Sequence, residues 1–204
     1  MSHKEHILAF LNDNLQQIDF GDSDAPRFNP NGYTPRSNLV DDVLFTQFHA
    51  GTEVIWRETA EYWNPDWVLG PDAGNRHRQV LPYALLTRIV DNVKQYGVYQ
   101  RVKGIGEERL LKGHTMGFGG HLPGIDVKYD QHSGIDVWKS IVAGLAGEMQ
   151  QEAGVDFNHV SLVSYVHKGY IMSTANEVDS LHFAIVMEVL VDPDYHFHHD
   201  RSEE

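Results

Sequence analysis

The sequence lacks cysteine, an excess of basic residues and any long apolar run, and each absence excludes a class of site. None of the 204 residues is a cysteine, so the protein forms neither a disulfide framework nor a thiolate zinc site, and a thiol nucleophile is excluded. This fits a reducing compartment, and we expect a cytoplasmic protein. No segment approaches the roughly 20 apolar residues of a membrane-spanning helix, so we expect no membrane partner.

The charge and composition of the chain further limit the classes of partner that it can bind. Acidic residues outnumber basic ones by 29 to 16, and the formal net charge at pH 7 is −13. Such a chain repels a phosphate backbone, and no run of Lys and Arg offers a local basic surface. We therefore expect no nucleic-acid partner, although the charge is compatible with a nucleotide held through a divalent cation. Apolar residues make up 41% of the chain, which is enough for the packed core of one sizeable domain.

The first 50 residues are predicted to form a helical extension and linker. An amphipathic helix is predicted over residues 4–19, because apolar residues recur there at helical spacing: Ile7, Leu8, Leu11, Leu15 and Ile18. The turn-forming residues in 21–38 predict a surface loop or linker there. A second short helix is predicted over residues 41–48. We expect this extension to form either a homodimer contact or a cap over the site.

Residues 51–192 are predicted to form an α/β domain, and residues 193–204 a polar tail. Glu53–Arg57 is predicted as a strand, residues 82–96 as a helix, and VYQRV and ERLLK as short strands. A further helix is predicted from Asp136 to Ala153, ending at Gly154. HVSLVSYV and LHFAIVMEVLV are predicted as closing strands, the second being apolar on both faces and therefore central in a sheet.

The helix over 136–153 carries the first candidate site. Glu148 and Glu152 are four residues apart, so their carboxylates leave the helix on one face, with Gln151 beside them. Two neighbouring carboxylates on an exposed helix repel each other by only a few tenths of a kcal/mol, so a solvated face is one interpretation. The other interpretation is a binding site for a hard divalent cation, which takes carboxylate oxygens and substrate phosphates as ligands.

The glycine-rich stretch GFGGH, ahead of this helix, favours the second interpretation. The order of elements is a strand, a glycine turn and a helix that carries E-x-x-x-E followed by Gly. This order resembles the Nudix box, whose pattern is G-x5-E-x7-R-E-U-x-E-E-x-G-U, where U is an apolar residue. The box would begin at Gly120, with Asp126 in place of the first Glu, and residues 147–155 match its second half. Gly147 replaces the Arg, Gln151 replaces one Glu, and the spacer has 20 residues in place of 7.

Flanking motifs extend the resemblance over residues 79–191. QVLPYALL, YQRVKGIGEERL, GFGGH and DSLHFAIVMEV occur in that order and are similar to a subgroup of Nudix-like predicted phosphoesterases of bacteria and phages. The resemblance implies an α/β/α sandwich with a mixed β-sheet. It also implies a hydrolase that needs Mg²⁺ or Mn²⁺ and splits a nucleoside diphosphate linked to another group. A Nudix-fold module that binds a nucleotide or a protein without hydrolysis is the alternative.

Carried over to this sequence, the resemblance makes Glu148 and Glu152 the expected catalytic residues and metal ligands. Gln151 is a further expected ligand, as is Glu188, which shares a strand face with His182; Asp126, Asp130 and Asp136 are substitutes. The expected substrate contacts are Gly119, Gly120, His121, Arg101, Arg109 and His182. His114, His121 and His182 are also candidates for acid or base, against a structural role. The aromatic residues Tyr99, Phe118 and Trp138 either stack on a base or pack in the core.

Overall fold

A computed structural model describes residues 5–11, 32–36, 52–57, 77–100, 114–131, 134–158, 162–172 and 181–195. The helix α1 spans Val137–Ala153, and a 3-10 turn spans Gly124–Asp126. The strands are β1 (His6–Leu11), β2 (Gly32–Pro35), β3 (Thr52–Trp56), β4 (His77–Val90), β5 (Val93–Tyr96), β6 (Tyr99–Gln100), β7 (His114–Thr115), β8 (Gly117–Gly119), β9 (Lys128–Asp130), β10 (Gly134–Asp136), β11 (Leu162–Met172) and β12 (His182–Val191).

Within these ranges, eight strands form one mixed sheet in the order β2-β11-β12-β4-β1-β3, with β5 and β8 also paired to β4. β4 and β12 are parallel, while the other neighbours in this sheet are antiparallel. The long strand β4 pairs along one edge with β12 and along the other with β1, β8 and β5 in turn. The glycine strand β8 is therefore held at the middle of β4.

The central position predicted for LHFAIVMEVLV is confirmed, since β12 lies between β11 and β4. Side chains alternate between the two faces of a strand. One face of β12 packs in the hydrophobic core with α1: Phe183, Ile185, Met187, Val189 and Val191 join Ile141, Leu145 and Met149. His182 and Glu188 consequently lie on the face of the sheet opposite α1.

The helix predicted over 136–153 is also confirmed, together with both of its ends. Asp136 is the N-cap and accepts a hydrogen bond from the Lys139 backbone N–H at 2.9 Å. Gly154 ends the helix in the left-handed conformation with φ 68°, and its N–H reaches Met149 O. Near the middle, a Cβ on Gly144 would lie 2.5 Å from Leu122 Cδ1, so this glycine lets the helix approach the segment after β8.

The helix predicted over 82–96 is wrong: these residues form the β4–β5 hairpin. Asp91 and Asn92 have φ values of 51° and 63°, the positive pair that a two-residue hairpin turn of type I′ requires. Apolar residues at 85, 89 and 93 fit helical spacing, but the Asp-Asn turn and pairing with distant strands decide the structure. Pro82 lies in β4 between the stretches paired with β1 and β8.

The helix predicted at the N-terminus is wrong over His6–Leu11, which form β1. Residues 7–10 are fully buried, because β1 is covered on both faces and pairs with β3 and β4. β2, within the predicted linker, pairs with β11, so two segments of the predicted extension belong to the main sheet. The strand predicted at Glu53–Arg57 is confirmed as β3, whereas residues 12–20 and the helix predicted over 41–48 lie outside the described residues.

The polar stretch between Asp126 and α1 forms a small hairpin, β9–β10, which packs on the start of the helix. Ser140 Oγ accepts a hydrogen bond from Lys128 N–H at 2.8 Å and donates to Asp136 O at 2.7 Å. A helix layer on the sheet face opposite α1, as in the predicted α/β/α sandwich, is not seen among the described residues. The part of the chain described here has no helix with the length and apolarity to span a membrane.

Candidate functional site

The two helix carboxylates lie against the glycine turn formed by Gly119, the last residue of β8, and Gly120. The Gly119 backbone N–H donates a hydrogen bond to Glu152 Oε2 at 3.1 Å. A Cβ built on Gly120 would lie 2.5 Å from Glu148 Oε1 and 2.7 Å from its Cδ. Two successive glycines thus contact two acids one helical turn apart, so both carboxylates meet at a single turn of backbone.

Glycine is required at this turn because the chain passes close to its neighbours. Gly119 pairs with Tyr83 of β4, and a Cβ at Gly119 would lie 2.2 Å from the Pro82 carbonyl oxygen. Real side chains do not tolerate that distance. At Gly120 the space of the missing Cβ is filled by the Glu148 carboxylate. The sequence GG at the end of β8 therefore brings the backbone within hydrogen-bonding reach of the helix acids.

These residues fit a hard divalent cation in a partly open site. Carboxylate oxygens are the donors that Mg²⁺ prefers, and Mg²⁺ commonly takes only one or two of them, with water and substrate phosphates as its remaining ligands. Among the described residues, no group of three or more His, Asp or Glu could hold a metal ion. The two carboxylates therefore suit a cation that shares its coordination with a substrate, and not a closed protein cage.

Other residues predicted as ligands lie around the helix without joining this pair. Asp126 Oδ2 lies 4.0 Å from where a Cβ on Gly147 would be, so its carboxylate lies beside the helix at Gly147. Gln151 is exposed. Asp136 caps the N-terminus of α1, about 18 Å from position 148 at about 1.5 Å per residue, and its carboxylate pairs with Lys139 at 2.7 Å.

Comparison with solved structures identifies the architecture. The chain is similar to the crystal structure of Tm1382, described as a candidate Nudix hydrolase, with a TM-score of 0.59 and 17% sequence identity over 92% of this chain and 76% of that chain. The fold is Nudix-like. No family model and no curated protein matches the sequence. At this identity the similarity concerns the Nudix-like fold alone, so the chemistry must be argued from the site.

Within the Nudix-like fold, Glu188 lies apart from the helix carboxylates. It is on the sheet face opposite α1, where Lys94 Nζ lies 2.7 Å from its Oε1 and Lys168 Nζ 3.6 Å from its Oε2. The hydrogen bond from Lys94 lowers the pKa of Glu188 below its usual value, and the charges of both lysines act in the same direction. The structure therefore makes Glu188 a member of an ion-pair cluster and does not place it as a ligand with Glu148 and Glu152.

The predicted histidine contacts also lie on the far face of the Nudix-like sheet. Gly120 and Leu122 both face α1, so His121 between them faces away, with its ring centroid 5.6 Å from that of His182. His121 Nε2 is buried and has no hydrogen-bond partner in the described part of the chain. Burial, followed by the nearby Arg57 and His182, lowers the pKa of His121 to about 3. His121 is therefore uncharged at pH 7.

The remaining predicted contacts divide between packed, exposed and undescribed residues. Tyr99 stacks on Phe118 with ring centroids 4.6 Å apart, and the ring centroids of Trp138 and His167 are 5.6 Å apart. All three aromatics predicted as base-stacking candidates pack in or against the core. His114 is exposed in β7. Arg101 and Arg109, together with the histidines of the tail, lie outside the described residues.

The sequence reading missed a cleft of about 370 Å³ on the α1 side of the Nudix-like fold. We call it the Tyr195 cleft; it lies between the β4–β5 hairpin and residues 191–195, and it is lined by Leu86, Arg88, Gln95, Val191 and Tyr195, among others. The apolar spacing over 82–96 predicts a helix and the composition from residue 193 onward predicts a polar tail, so neither pattern indicates the two segments that form the cleft. The Asp-Asn dipeptide at 91–92 was the available signal, since it favours a hairpin turn.

His121 gives a testable dependence of stability on pH. An unfolded histidine takes up a proton near pH 6.5, whereas folded His121 stays neutral to about pH 3. The unfolded state therefore binds more protons between these values, and the free energy of unfolding falls as pH decreases, by up to about 1.4 kcal/mol per pH unit. We expect His121→Asn to show a shallower fall than the wild type in urea titrations at pH 7, 6 and 5.

Exposed His114 is the matched control, and His114→Asn should keep the wild-type slope. Equal slopes for the wild type and His121→Asn would show that His121 titrates as an ordinary surface histidine.

Proposed function

We propose that the protein is a hydrolase that needs a divalent cation and cleaves the phosphoric anhydride of a nucleoside diphosphate linked to another group. The observation that carries the proposal is the pair Glu148 and Glu152, held at one glycine turn by successive contacts with Gly119 and Gly120. The Nudix-like fold supports it, because these residues are those that the resemblance to the Nudix box singled out.

Glu148 and Glu152 would hold the cation, Mg²⁺ or Mn²⁺. When bound, such a cation neutralises charge on the phosphate oxygens and lowers the pKa of a bound water. The chain itself contributes orientation. The Gly119 N–H fixes one oxygen of Glu152, and the absent Cβ of Gly120 leaves room for the Glu148 carboxylate beside the backbone.

The proposed reaction joins a water oxygen to one phosphorus of the diphosphate and breaks the bond from that phosphorus to the bridging oxygen. The electron pair of the broken bond stays on the leaving phosphate, and the proton of the water passes to solvent or to a base. Gln151 can offer only an amide oxygen from its exposed position, so it contributes no negative charge. Arg101 and Arg109, expected as substrate contacts, are proposed to clamp the phosphates through bidentate hydrogen bonds, whereas His121 and His182, on the far face, are not part of this site.

The test is a panel of nucleoside diphosphate sugars, dinucleotides and nucleoside triphosphates, separated by chromatography after incubation with the protein. We expect cleavage of one class with Mg²⁺ or Mn²⁺, complete loss on adding a chelator, and recovery when the metal is restored. Cleavage that continues unchanged in the chelator would contradict the proposal.

Binding without hydrolysis is the second candidate, and specific features of the site favour it. One carboxylate oxygen of Glu152 already accepts a hydrogen bond from the Gly119 N–H, and position 151 carries an uncharged glutamine where the Nudix box has a glutamate. Among the described residues, no third acidic side chain joins the pair as a possible metal ligand. Calorimetric binding of a panel nucleotide, with no product across several divalent metals, would support this candidate. Cleavage gained in Gln151→Glu would indicate that the site is an attenuated hydrolase.

A further inference from the structure

We propose that the Tyr195 cleft is the subsite for the nucleobase, with the base stacked on Tyr195 and an acceptor on its edge bound by Gln95. This inference rests on the proposed function, whose phosphates would lie at Glu148 and Glu152. It assigns a role to Tyr195 and Gln95, which lie outside every motif singled out in the sequence.

The size and composition of the cleft suit a base with its ribose. Small-molecule sites are typically about 300–1,000 Å³ and mostly apolar, with a few placed polar groups. The Tyr195 cleft, at about 370 Å³, lies at the small end of that range. Leu86 and Val191 are almost fully buried beneath the cleft, while Arg88 and Gln95 supply polar groups, so the lining is about half polar and can pair with the polar edge of a base.

Tyr195 is fixed before any ligand binds. Its hydroxyl donates a hydrogen bond to Ala153 O, its N–H donates to Asp192 O at 3.0 Å, and Arg88 Nη1 donates to its carbonyl at 3.2 Å. Burial raises the pKa of Tyr195, so the hydroxyl keeps its proton at neutral pH. An aromatic ring held at both ends can stack on a base with little further loss of conformational freedom.

The orientation of the Gln95 amide follows from its partner. Arg88 Nε donates a hydrogen bond to Gln95 Oε1 at 2.8 Å. A guanidinium can only donate, so the amide oxygen must face Arg88 and the Nε2 group faces away from it. Gln95 therefore offers a donor, which matches a carbonyl oxygen or an unprotonated ring nitrogen on the base.

The cleft lies at the right distance from the carboxylates. Tyr195 bonds to Ala153, the residue after Glu152. Along β4, Gly119 pairs with Tyr83 and the cleft begins at Leu86 and Thr87, which is about 10–13 Å further at roughly 3.3 Å per residue. That separation is comparable with the reach of an extended nucleoside diphosphate from its base to its phosphates.

The experiment uses the full chain and measures binding of AMP, UMP and ribose 5-phosphate by calorimetry in the presence of Mg²⁺. We expect at least one nucleotide to bind, with Tyr195→Ala and Gln95→Ala weakening it about tenfold or more and leaving ribose 5-phosphate unaffected. Tyr195→Phe, which keeps the ring, should stay within about threefold of the wild type. Tyr129→Ala is the control, because Tyr129 is an exposed aromatic on the distant β9 strand; it should change nothing.

Failure of this subsite is distinguishable from failure of the proposed function. Cleavage of the panel with an unchanged KM in both Tyr195→Ala and Gln95→Ala would overturn the subsite and leave the hydrolase standing. Nucleotide binding that depends on Tyr195, without cleavage of any panel compound, would support the subsite and remove the hydrolase. Absence of binding by both nucleotides would overturn the subsite. If Tyr195→Ala fails to fold by circular dichroism, Gln95→Ala decides.

Discussion

Replacing Glu152 by Gln is expected to lower kcat/KM for the panel substrate by about 100-fold or more, with little change in melting temperature. The amide of Gln keeps an oxygen that can accept the Gly119 N–H bond, so the glycine turn stays in place. What is lost is one negative charge at the position proposed to hold the cation, and removing one such electrostatic contact typically costs 10²–10³ in rate. Steady-state kinetics with saturating Mg²⁺ measures the effect, and Glu148→Gln should behave alike.

Glu188→Gln is the matched control for this experiment. It makes the same change of charge in the same domain, but Glu188 pairs with Lys94 and Lys168 on the opposite face of the sheet. We expect its turnover to stay within about twofold of the wild type and its stability to fall by about 1–2 kcal/mol, because the Glu188 side chain is only 17% exposed and its hydrogen bond from Lys94 joins two charged groups. Normal turnover in Glu152→Gln would remove this acid from the mechanism.

The two adjacent glycines are expected to respond differently to the same small substitution. In Gly119→Ala the new Cβ would lie 2.2 Å from the Pro82 carbonyl oxygen and 3.1 Å from Tyr83 Cα, so only a shift of β8 away from β4 relieves the clash. Overpacking of this kind typically costs about 1–3 kcal/mol. In Gly120→Ala the clash is with the end of the Glu148 side chain, which can rotate away.

Gly119→Ala should therefore lower both the free energy of unfolding, measured by urea titration, and the turnover. Gly120→Ala should keep near wild-type stability and lose turnover through displacement of Glu148. Wild-type kinetics in a folded Gly120→Ala protein would show that the position of the Glu148 carboxylate does not matter. Equal stability of the two variants would contradict the packing described for Gly119.

The sequence predicted the parts of the fold that local signals determine. α1 has helical periodicity, an aspartate cap and a terminal glycine, so its ends could be placed from the chain alone. β1 could not, because Ile7, Leu8, Ala9 and Phe10 are buried by pairing with strands far away in sequence. The β4–β5 hairpin had one local signal, the Asp-Asn turn at 91–92, within a segment whose apolar spacing predicts a helix. An apolar run fits a buried helix and a buried strand equally well when its partners are unknown.

The residues of the candidate site also divide into those that a local sequence pattern predicts and those whose position depends on distant parts of the chain. Helical spacing was enough to put Glu148 and Glu152 on one face, and the glycines before the helix predicted a close approach that the structure contains. Strand alternation correctly put His182 and Glu188 on a common face, but it could not say which face α1 covers. The Tyr195 cleft depends on a hairpin and a terminal segment meeting across the sheet, which no local pattern encodes.

The pairing of β4 with β12 has a consequence for the order in which the protein assembles. These strands lie side by side at the centre of the sheet, yet Gln79 and His182 are about 100 residues apart along the chain. Closing so long a segment costs entropy before any contact repays it. β4, the glycine turn and the acidic helix are all synthesised before β12, so the centre of the sheet is completed only after that strand has been made.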